Sequence, residues 1–433
     1  MNNNTENLVK IIDFWRKTAT NDRLFPRNAQ KQIDLKSDEV IAVIGPRRSG
    51  KSSFLKLIMQ DIPENSWLYI NFEDPFFIEH RNVDIIEQLI AVFVEYFHPT
   101  LKYLFFDEIQ NIQNWEKAVR KYQETKKYKI FITGSSSQLL SKEFSTVLTG
   151  RHKTIKILPL DFPEFLVFNK LKLGKKTDYI TNEILIKKLF EEYLSMGGFP
   201  KVVLDKKPEV LKQYFYDIVQ KDIVGRYEIR QHDKLERLGS YLLSNVAKVY
   251  SIATLSNTFD LSWEYINLYI QYFKEAFVLN DLVQFSYSLK TQEKSFNKIY
   301  GIDNGLVSAV SFAFSENLGQ MMENCAYNYF ANHFEEIYYY KTKNNAEVDF
   351  VLKTGKKINF LIQICADVSL EETKNREIKA LLEGGKELKC KKMLVITSDY
   401  QGKESVDGNE ISYIPLYKIL TNFTPFTKWG QNG

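Results

Sequence analysis

The chain has 433 residues, 44% of them hydrophobic and 14% aromatic, enough to bury real cores, which excludes an intrinsically disordered protein. Single cores stop growing at about 250 to 300 residues, so roughly two to four domains are expected. A net charge of +4 is compatible with nucleic acid but short of the strongly basic footprint that would point to it. The three cysteines, Cys325, Cys365 and Cys390, are odd in number and widely spaced, which argues against a disulfide framework or a zinc cluster and for a reducing compartment. The first residues lack a basic stretch followed by an apolar core, and no apolar run approaches the ~20 residues of a membrane span. The expected location is the cytoplasm, with no membrane partner.

Taken in chain order, the first informative element is the apolar run Val40-Ile41-Ala42-Val43-Ile44, followed by Gly45-Pro46-Arg47-Arg48-Ser49-Gly50-Lys51-Ser52 and the helical pattern Ser53-Phe54-Leu55-Lys56-Leu57-Ile58. Strand, G-x-x-x-x-G-K-[ST] loop and helix in that order read as a phosphate-binding loop. Gly45 and Gly50 let the backbone bend with its N–H groups inward, so that a nest of amides and a helix N-terminus face a polyanion. Lys51 is expected to reach the β and γ phosphates, and Ser52 to offer its hydroxyl to Mg²⁺. The expected nucleotide-binding residues are Gly45, Pro46, Arg47, Arg48, Ser49, Gly50, Lys51, Ser52 and Ser53, with ATP and Mg²⁺ as the ligands.

The next element, Tyr103-Leu104-Phe105-Phe106, runs into Asp107-Glu108. Four apolar residues in a row predict a strand buried on both faces, as in a parallel sheet covered by helices. Asp107, at its carboxyl end, is placed to hold Mg²⁺, and Glu108 to orient and deprotonate an attacking water. A third strand, Tyr128-Lys129-Ile130-Phe131-Ile132, exits into Thr133-Gly134-Ser135-Ser136-Ser137 at the same edge, where open α/β sheets bind ligands. Ser135, or its neighbour Ser136, is the expected sensor of the γ phosphate. In Thr149-Gly150-Arg151 the guanidinium of Arg151 is the expected arginine finger for a neighbouring subunit in a homo-oligomer, with Arg47, Arg48 and Arg120 as competitors for the role.

These motifs, with Asn71-Phe72-Glu73-Asp74-Pro75, Asp107-Glu108-Ile109-Gln110 and Leu158-Pro159-Leu160-Asp161-Phe162-Pro163-Glu164-Phe165, resemble the prokaryotic AAA+-type ATPases of the archaeal ATPase group. The resemblance covers most of the chain and is weaker beyond about residue 230. It implies a parallel-sheet core, a helical lid packed over the nucleotide, and a C-terminal partner domain that resembles PD-(D/E)xK nucleases. The expected organisation is a P-loop AAA+-like ATPase core over 1–165, a helical lid over 166–230, a winged-helix-like domain over 231–305 and a nuclease-like α/β domain over 306–433.

Within the lid, Ile186, Leu189, Phe190 and Tyr193 mark one apolar helix face, and Gly197-Gly198 stops it. Arg226 and Arg230 read equally as nucleotide or partner contacts and as solvated helix ends. A helix over Leu235–Ala247, a short one over Ile252–Phe259 and a third from Ser262, a good N-cap, precede β-like segments at Leu282–Tyr287 and Asn297–Tyr300. That pattern resembles a winged helix-turn-helix, yet Trp263, Glu264, Tyr265, Asn267 and Tyr269 dominate the candidate recognition helix, where major-groove readers present basic and amide groups. DNA and protein therefore stand as alternative partners. The lysine clusters over 170–176 and 386–392 read either as phosphate contacts or as solvated loops.

The last region predicts a helix holding Glu323, strands at Ile337–Tyr340, Glu347–Leu352 and Asn359–Cys365, and a further helix. Asp349 fits the first metal-binding acid of the nuclease pattern that the resemblance implies. Gln363 and Cys365 stand where the second acid and the lysine belong, so cleavage is expected to be lost unless Glu347 or Glu323 supplies the missing charge. The other reading puts Glu347 and Asp349 on a solvated strand face. Arg376 and Glu377 on the following helix would bind a phosphate or pair at the surface.

Overall fold

Apolar pentapeptides separated by helices leave a chain little choice but to pair its strands in parallel and cover both faces. In the computed structural model, which describes residues 3–20, 24–134, 150–311 and 318–421, four such strands and a polar edge strand form one parallel sheet: β1 (Val40–Ile44), β2 (Trp67–Asn71), β3 (Tyr103–Asp107), β4 (Lys129–Thr133) and the polar β5 (His152–Lys156), in the spatial order β2-β3-β4-β1-β5. Every residue of β1 and β4 is buried, whereas the edge strand β5 is half-exposed. Helices α1 (Asn3–Thr20), α2 (Lys51–Met59), α3 (Asp84–Tyr96) and α4 (Trp115–Glu124) accompany the sheet. Ile41, Val43, Phe54, Leu55, Phe105 and Phe131 share one core with Trp67 and Tyr69, and the rings of Phe105 and Phe131 stack at 4.6 Å. This sheet and its helices form one of two compact units, Met1–Leu158; the other is Pro159–Gly433.

The second unit opens with α5 (Phe162–Phe168), whose Asp161 and Glu164 form a reciprocal capping box. Then come α6 (Glu183–Met196), α7 (Pro200–Asp205) and α8 (Val210–Asp217), the last running into a π-helical stretch over Ile218–Val224. Helices α9 (His232–Ser244), α10 (Ile252–Phe259) and α11 (Trp263–Glu275) lead to a small antiparallel sheet of β6 (Val249–Tyr250), β7 (Leu279–Leu282) and β8 (Asn297–Gly301), ordered β6-β8-β7. Ser262 caps α11 by accepting from the Tyr265 N–H, as its position in the sequence predicts.

After α12 (Asn304–Val310) and α13 (Leu318–His333), a six-stranded mixed sheet closes the chain: β9 (Glu336–Lys341), β10 (Glu347–Thr354), β11 (Lys357–Ile364), β12 (Met393–Thr397), β13 (Gly402–Val406) and β14 (Asn409–Pro415), ordered β13-β14-β12-β11-β10-β9. The helix α14 (Glu371–Leu388) packs on β10 and β11, and α15 (Leu416–Leu420) follows β14.

Two sequence expectations need correction. The strand expected over Leu282–Tyr287 lies upstream, at β7, because Val283 and Phe285 spend their backbone groups on Tyr339 of β9 instead. The C-terminal region has six strands rather than three, since β12 pairs in parallel with β11, β14 pairs in parallel with β12, and β13 adds an antiparallel edge.

Candidate active site

The loop between β1 and α2 is shaped by two glycines. Gly45 has a φ of 153°, and a Cβ there would lie 2.0 Å from the Ile157 carbonyl oxygen, so no other residue fits without moving the backbone. Gly50, with φ 98°, caps α2. Ser49 is fully buried and its Oγ has no hydrogen-bond partner among the described residues. From below, the buried Arg27 holds the loop by donating to the Ser49 carbonyl at 3.0 Å and to that of Leu158 at 2.7 Å. Lys51 Nζ donates to the carbonyls of Gly45 (3.1 Å) and Pro46 (3.3 Å) and lies 4.0 Å from Glu108 Oε1.

The acidic side of the site is organised by sheet order. Strand β4 lies between β1 and β3, so the residue at its carboxyl end is wedged between the glycine loop and Asp107. That residue is Thr133: its Oγ1 donates to Asp107 Oδ1 in a short bond and accepts from the Glu108 N–H at 2.9 Å. From β2, on the other side of β3, the Tyr69 hydroxyl donates to Asp107 Oδ2 at 2.8 Å, with Asn71 Nδ2 at 3.4 Å from the same oxygen. Burial raises the Asp107 carboxyl above its ordinary range, and the Glu108 charge adds to that, while hydrogen bonds from Ser52, Thr133 and Tyr69 pull the other way. Ser52 and Asp107, the two groups expected to hold Mg²⁺, are therefore in direct contact. This donor pair, a hydroxyl and a carboxylate, suits a hard cation that leans on substrate phosphates for its other ligands.

Glu108 adopts the left-handed conformation, φ 54° and ψ 44°, which costs an L-residue roughly 1 to 2 kcal/mol. Gln110 Nε2 grips its Oε2 at 2.6 Å. The Gln110 Oε1 is itself buried without a partner among the described residues.

The structure thus brings together Gly45, Pro46, Ser49, Gly50, Lys51, Ser52, Asp107 and Glu108. Arg47 reaches Glu73 at 3.3 Å, Arg48 is exposed with φ 68°, and Ser53 is exposed on the first turn of α2. Ser135, Ser136 and Thr149 lie outside the described residues. Arg151 is displaced from its own chain's site: the Val40 N–H donates to its carbonyl at 2.9 Å, at the amino end of β1, whereas the glycine loop follows the carboxyl end. Its guanidinium and that of Arg120 share Glu124 Oε1, at 3.0 and 3.1 Å. The sequence reading passed over Arg27 and Tyr69, and it quoted Asn71, Gln110 and Thr133 within motifs without giving them a role.

Residues 37–166 match the family model of an AAA domain, 187–317 a domain of unknown function, DUF8612, and 318–419 another, DUF4143. Over 419 residues the chain is 35% identical to the Uncharacterized protein MJ1544 of Methanocaldococcus jannaschii, covering 93% of this chain and 90% of that one. The chain belongs to the family of that protein. Its first unit is an AAA-type P-loop ATPase domain. An uncharacterized protein of Haemophilus influenzae is 28% identical over 89% of this chain and 96% of its own. Among solved structures, the Aeropyrum pernix ORC1 protein in complex with DNA aligns with a TM-score of 0.32 and 8% identity, over 68% of this chain and 95% of that one; so low a likeness says nothing of this chain's ligands. No helix among the described residues is long and apolar enough to cross a membrane.

Proposed function

We propose that this family member is a Mg²⁺-dependent ATPase of the cytoplasm whose nucleotide state is passed to the helical lid and the two modules that follow. The observation that carries this reading is the contact of Ser52 with Asp107 beside a glycine loop whose buried Ser49 hydroxyl has no partner among the described residues and whose Lys51 ammonium lies at the 4.0 Å limit of an ion pair with Glu108. Lys51 would exchange the loop carbonyls for the β and γ phosphates, and the loop amides would cradle the same anion. Mg²⁺, held by Ser52 and Asp107, supplies charge neutralisation on the phosphate oxygens when bound. Glu108 takes the proton of the attacking water as the new oxygen–phosphorus bond forms and the bond to ADP breaks. Thr133 fixes Asp107 and the Glu108 backbone with one hydroxyl, and Gln110 aims the Glu108 carboxylate.

In this reading the α9–α11 segment with β6–β8 is a winged-helix-like module and the six-stranded sheet a nuclease-like one. The exposed residues of α11 are Trp263, Glu264, Tyr265, Asn267, Leu268 and Gln271, and its one basic residue, Lys274, pairs with Asp281 at 2.5 Å, which leaves little positive charge to meet phosphates. That observation favours a protein over DNA as the partner of this face. Arg151 would act in trans if the chain assembles into a homo-oligomer.

The test is ATP turnover in Mg²⁺ and in EDTA, with and without duplex and single-stranded DNA. Turnover in Mg²⁺ that disappears in EDTA, with nucleotide binding lost in Lys51→Ala, is the expected result. Absence of any affinity for ATP in Mg²⁺ overturns the proposal, and strong DNA stimulation overturns the choice of partner.

A further inference from the structure

Lys298, on the middle strand of the small sheet, is 1% exposed. Its Nζ lies 2.7 Å from Glu347 Oε1, 2.9 Å from Glu323 Oε1 and 3.3 Å from Asp349 Oδ1. These three acids come from two other elements, α13 and β10. They are the very carboxylates that a nuclease-like centre in this module would turn on a divalent cation, and their common point of approach is taken by an ammonium. Among the described residues no group of three or more His, Cys, Asp or Glu side chains is arranged to hold a metal.

The remaining polar groups are spent as well. Tyr300 donates its hydroxyl to Glu323 at 2.8 Å, and the Ile364 N–H donates to Asp349 Oδ2 at 2.9 Å. Gln363, in the place of the second acid, accepts from the Asp349 N–H at 2.6 Å and donates to the Glu347 carbonyl at 2.9 Å and, in a short bond, to Glu377. Glu377 in turn takes Arg376 at 2.6 Å, which is the pairing alternative of the two readings for these residues. Cys365 is a buried thiol pushed up to about 11 by that burial and cannot steady an attacking water as a lysine would. The alternative of Glu347 and Asp349 on a solvated face is corrected here: Asp349 is buried and ion-paired.

Charge arithmetic points the same way. Three carboxylates around one ammonium leave two negative charges in a buried place, which is costly unless protons are taken up. Burial, with the Asp349 charge beside it, pushes Glu323 up to about 8, and burial raises the Asp349 carboxyl as well. Burial works against the Lys298 ammonium, but the acids around it outweigh that and keep it charged well above the ordinary lysine range.

We infer that Lys298 does in this module what a divalent metal does in a nuclease-like centre. Its ammonium permanently occupies the point where the three carboxylates converge and offsets part of their charge, so that the centre binds no divalent cation and cuts no phosphodiester. This rests on the nuclease-like reading of the module and is independent of the ATPase.

The experiment counts Mn²⁺ bound to the full chain, without nucleotide, from the electron paramagnetic resonance of the free ion. Wild type and Asp349→Asn are expected to bind equal amounts, because Asp349 holds none. Lys298→Met is expected to gain one Mn²⁺ per chain, lost again when Asp349→Asn is added. Wild-type Mn²⁺ binding or DNA nicking that Asp349→Asn abolishes would overturn the inference while leaving the nuclease-like reading intact. A folded Lys298→Met that gains no Mn²⁺ would sink both. If that variant does not fold, the wild-type comparison with Asp349→Asn still decides.

Discussion

A carboxylate that is to accept a proton from water must hold one lone pair free and in a fixed direction. Glu108 meets the second requirement through Gln110, whose Nε2 binds Oε2 at 2.6 Å and leaves Oε1 on the side of Lys51. A hydrogen bond to a charged group is worth about 1.5 to 3 kcal/mol, equivalent to roughly a 10- to 100-fold change in rate where it acts only in the transition state. Gln110→Ala is therefore expected to lower kcat for ATP by about that factor with KM unchanged, and Glu108→Gln to lower it by about 10² to 10⁴ while ATP still binds. Steady-state kinetics separates the two constants. A Gln110→Ala enzyme with raised KM and intact kcat would show that the amide serves binding, and a Glu108→Gln enzyme at the wild-type rate would remove Glu108 from the chemistry. The Gln110 Oε1, without a partner among the described residues, agrees with a working role, since a buried acceptor without a donor costs about 1 to 3 kcal/mol and needs a partner to relieve it.

Among the elements, the junction between α6 and α12 depends on one acid. Asp303 caps α12 by accepting from the Leu306 N–H at 3.0 Å and reaches across to the Gly198 N–H at 2.6 Å. A Cβ on Gly197 would lie 2.1 Å from Asp303 Oδ1, so the glycine is required by this approach as well as by its φ of 72°. Burial pushes Asp303 from 3.8 up to about 6, against the pull of its three backbone N–H donors. Between those values the folded chain keeps a proton that the unfolded chain has released. Stability from this group is therefore complete below pH ~4 and is lost as pH rises through about 6, on the order of 3 kcal/mol at about 1.4 kcal/mol per unit. Denaturant melts of wild type against Asp303→Asn are expected to show the wild type losing stability relative to the variant over that window; parallel curves would refute the assignment. The helix stop at Gly197-Gly198 was legible because it is local. Its partner was not, because 105 residues separate Gly198 from Asp303 and no periodicity joins them. Thr133, Tyr69 and Asn71 escaped for a related reason. Their place beside Asp107 follows from β4 and β2 flanking β3, and strand order is a property of the closed sheet rather than of any segment. Lys298 read as one more lysine in a short strand because its three acids lie 25 to 51 residues away in sequence.

For the whole molecule, the glycine loop, Asp107, Glu108 and every side chain that holds them fall within Met1–Leu158, while α6, Asp303 and the Lys298 cluster fall within Pro159–Gly433. Division of labour on this scale lets ATP hydrolysis proceed without consequence unless the two nucleotide states differ in free energy for the second unit. A ligand shifts an equilibrium only by its differential affinity for the two states, and couplings between sites are typically about 1 to 3 kcal/mol, or roughly 5- to 150-fold. Hydrogen exchange on Glu108→Gln, which is expected to hold ATP without consuming it, measures that coupling directly because local opening reports free energy segment by segment. ATP is expected to slow exchange in the glycine loop and α2, and also to change it by at least ~5-fold in the second unit, first at the Gly197-Gly198 turn, where α6 ends. Protection confined to residues 1–158 would leave the ATPase assignment standing and remove the transmission of nucleotide state to the appended modules. Protection that reached β8 and β10 as well would place the buried Lys298 cluster among the elements that move with ATP, because strands tied by one ammonium to two neighbouring elements cannot shift singly without leaving buried charges unpaired.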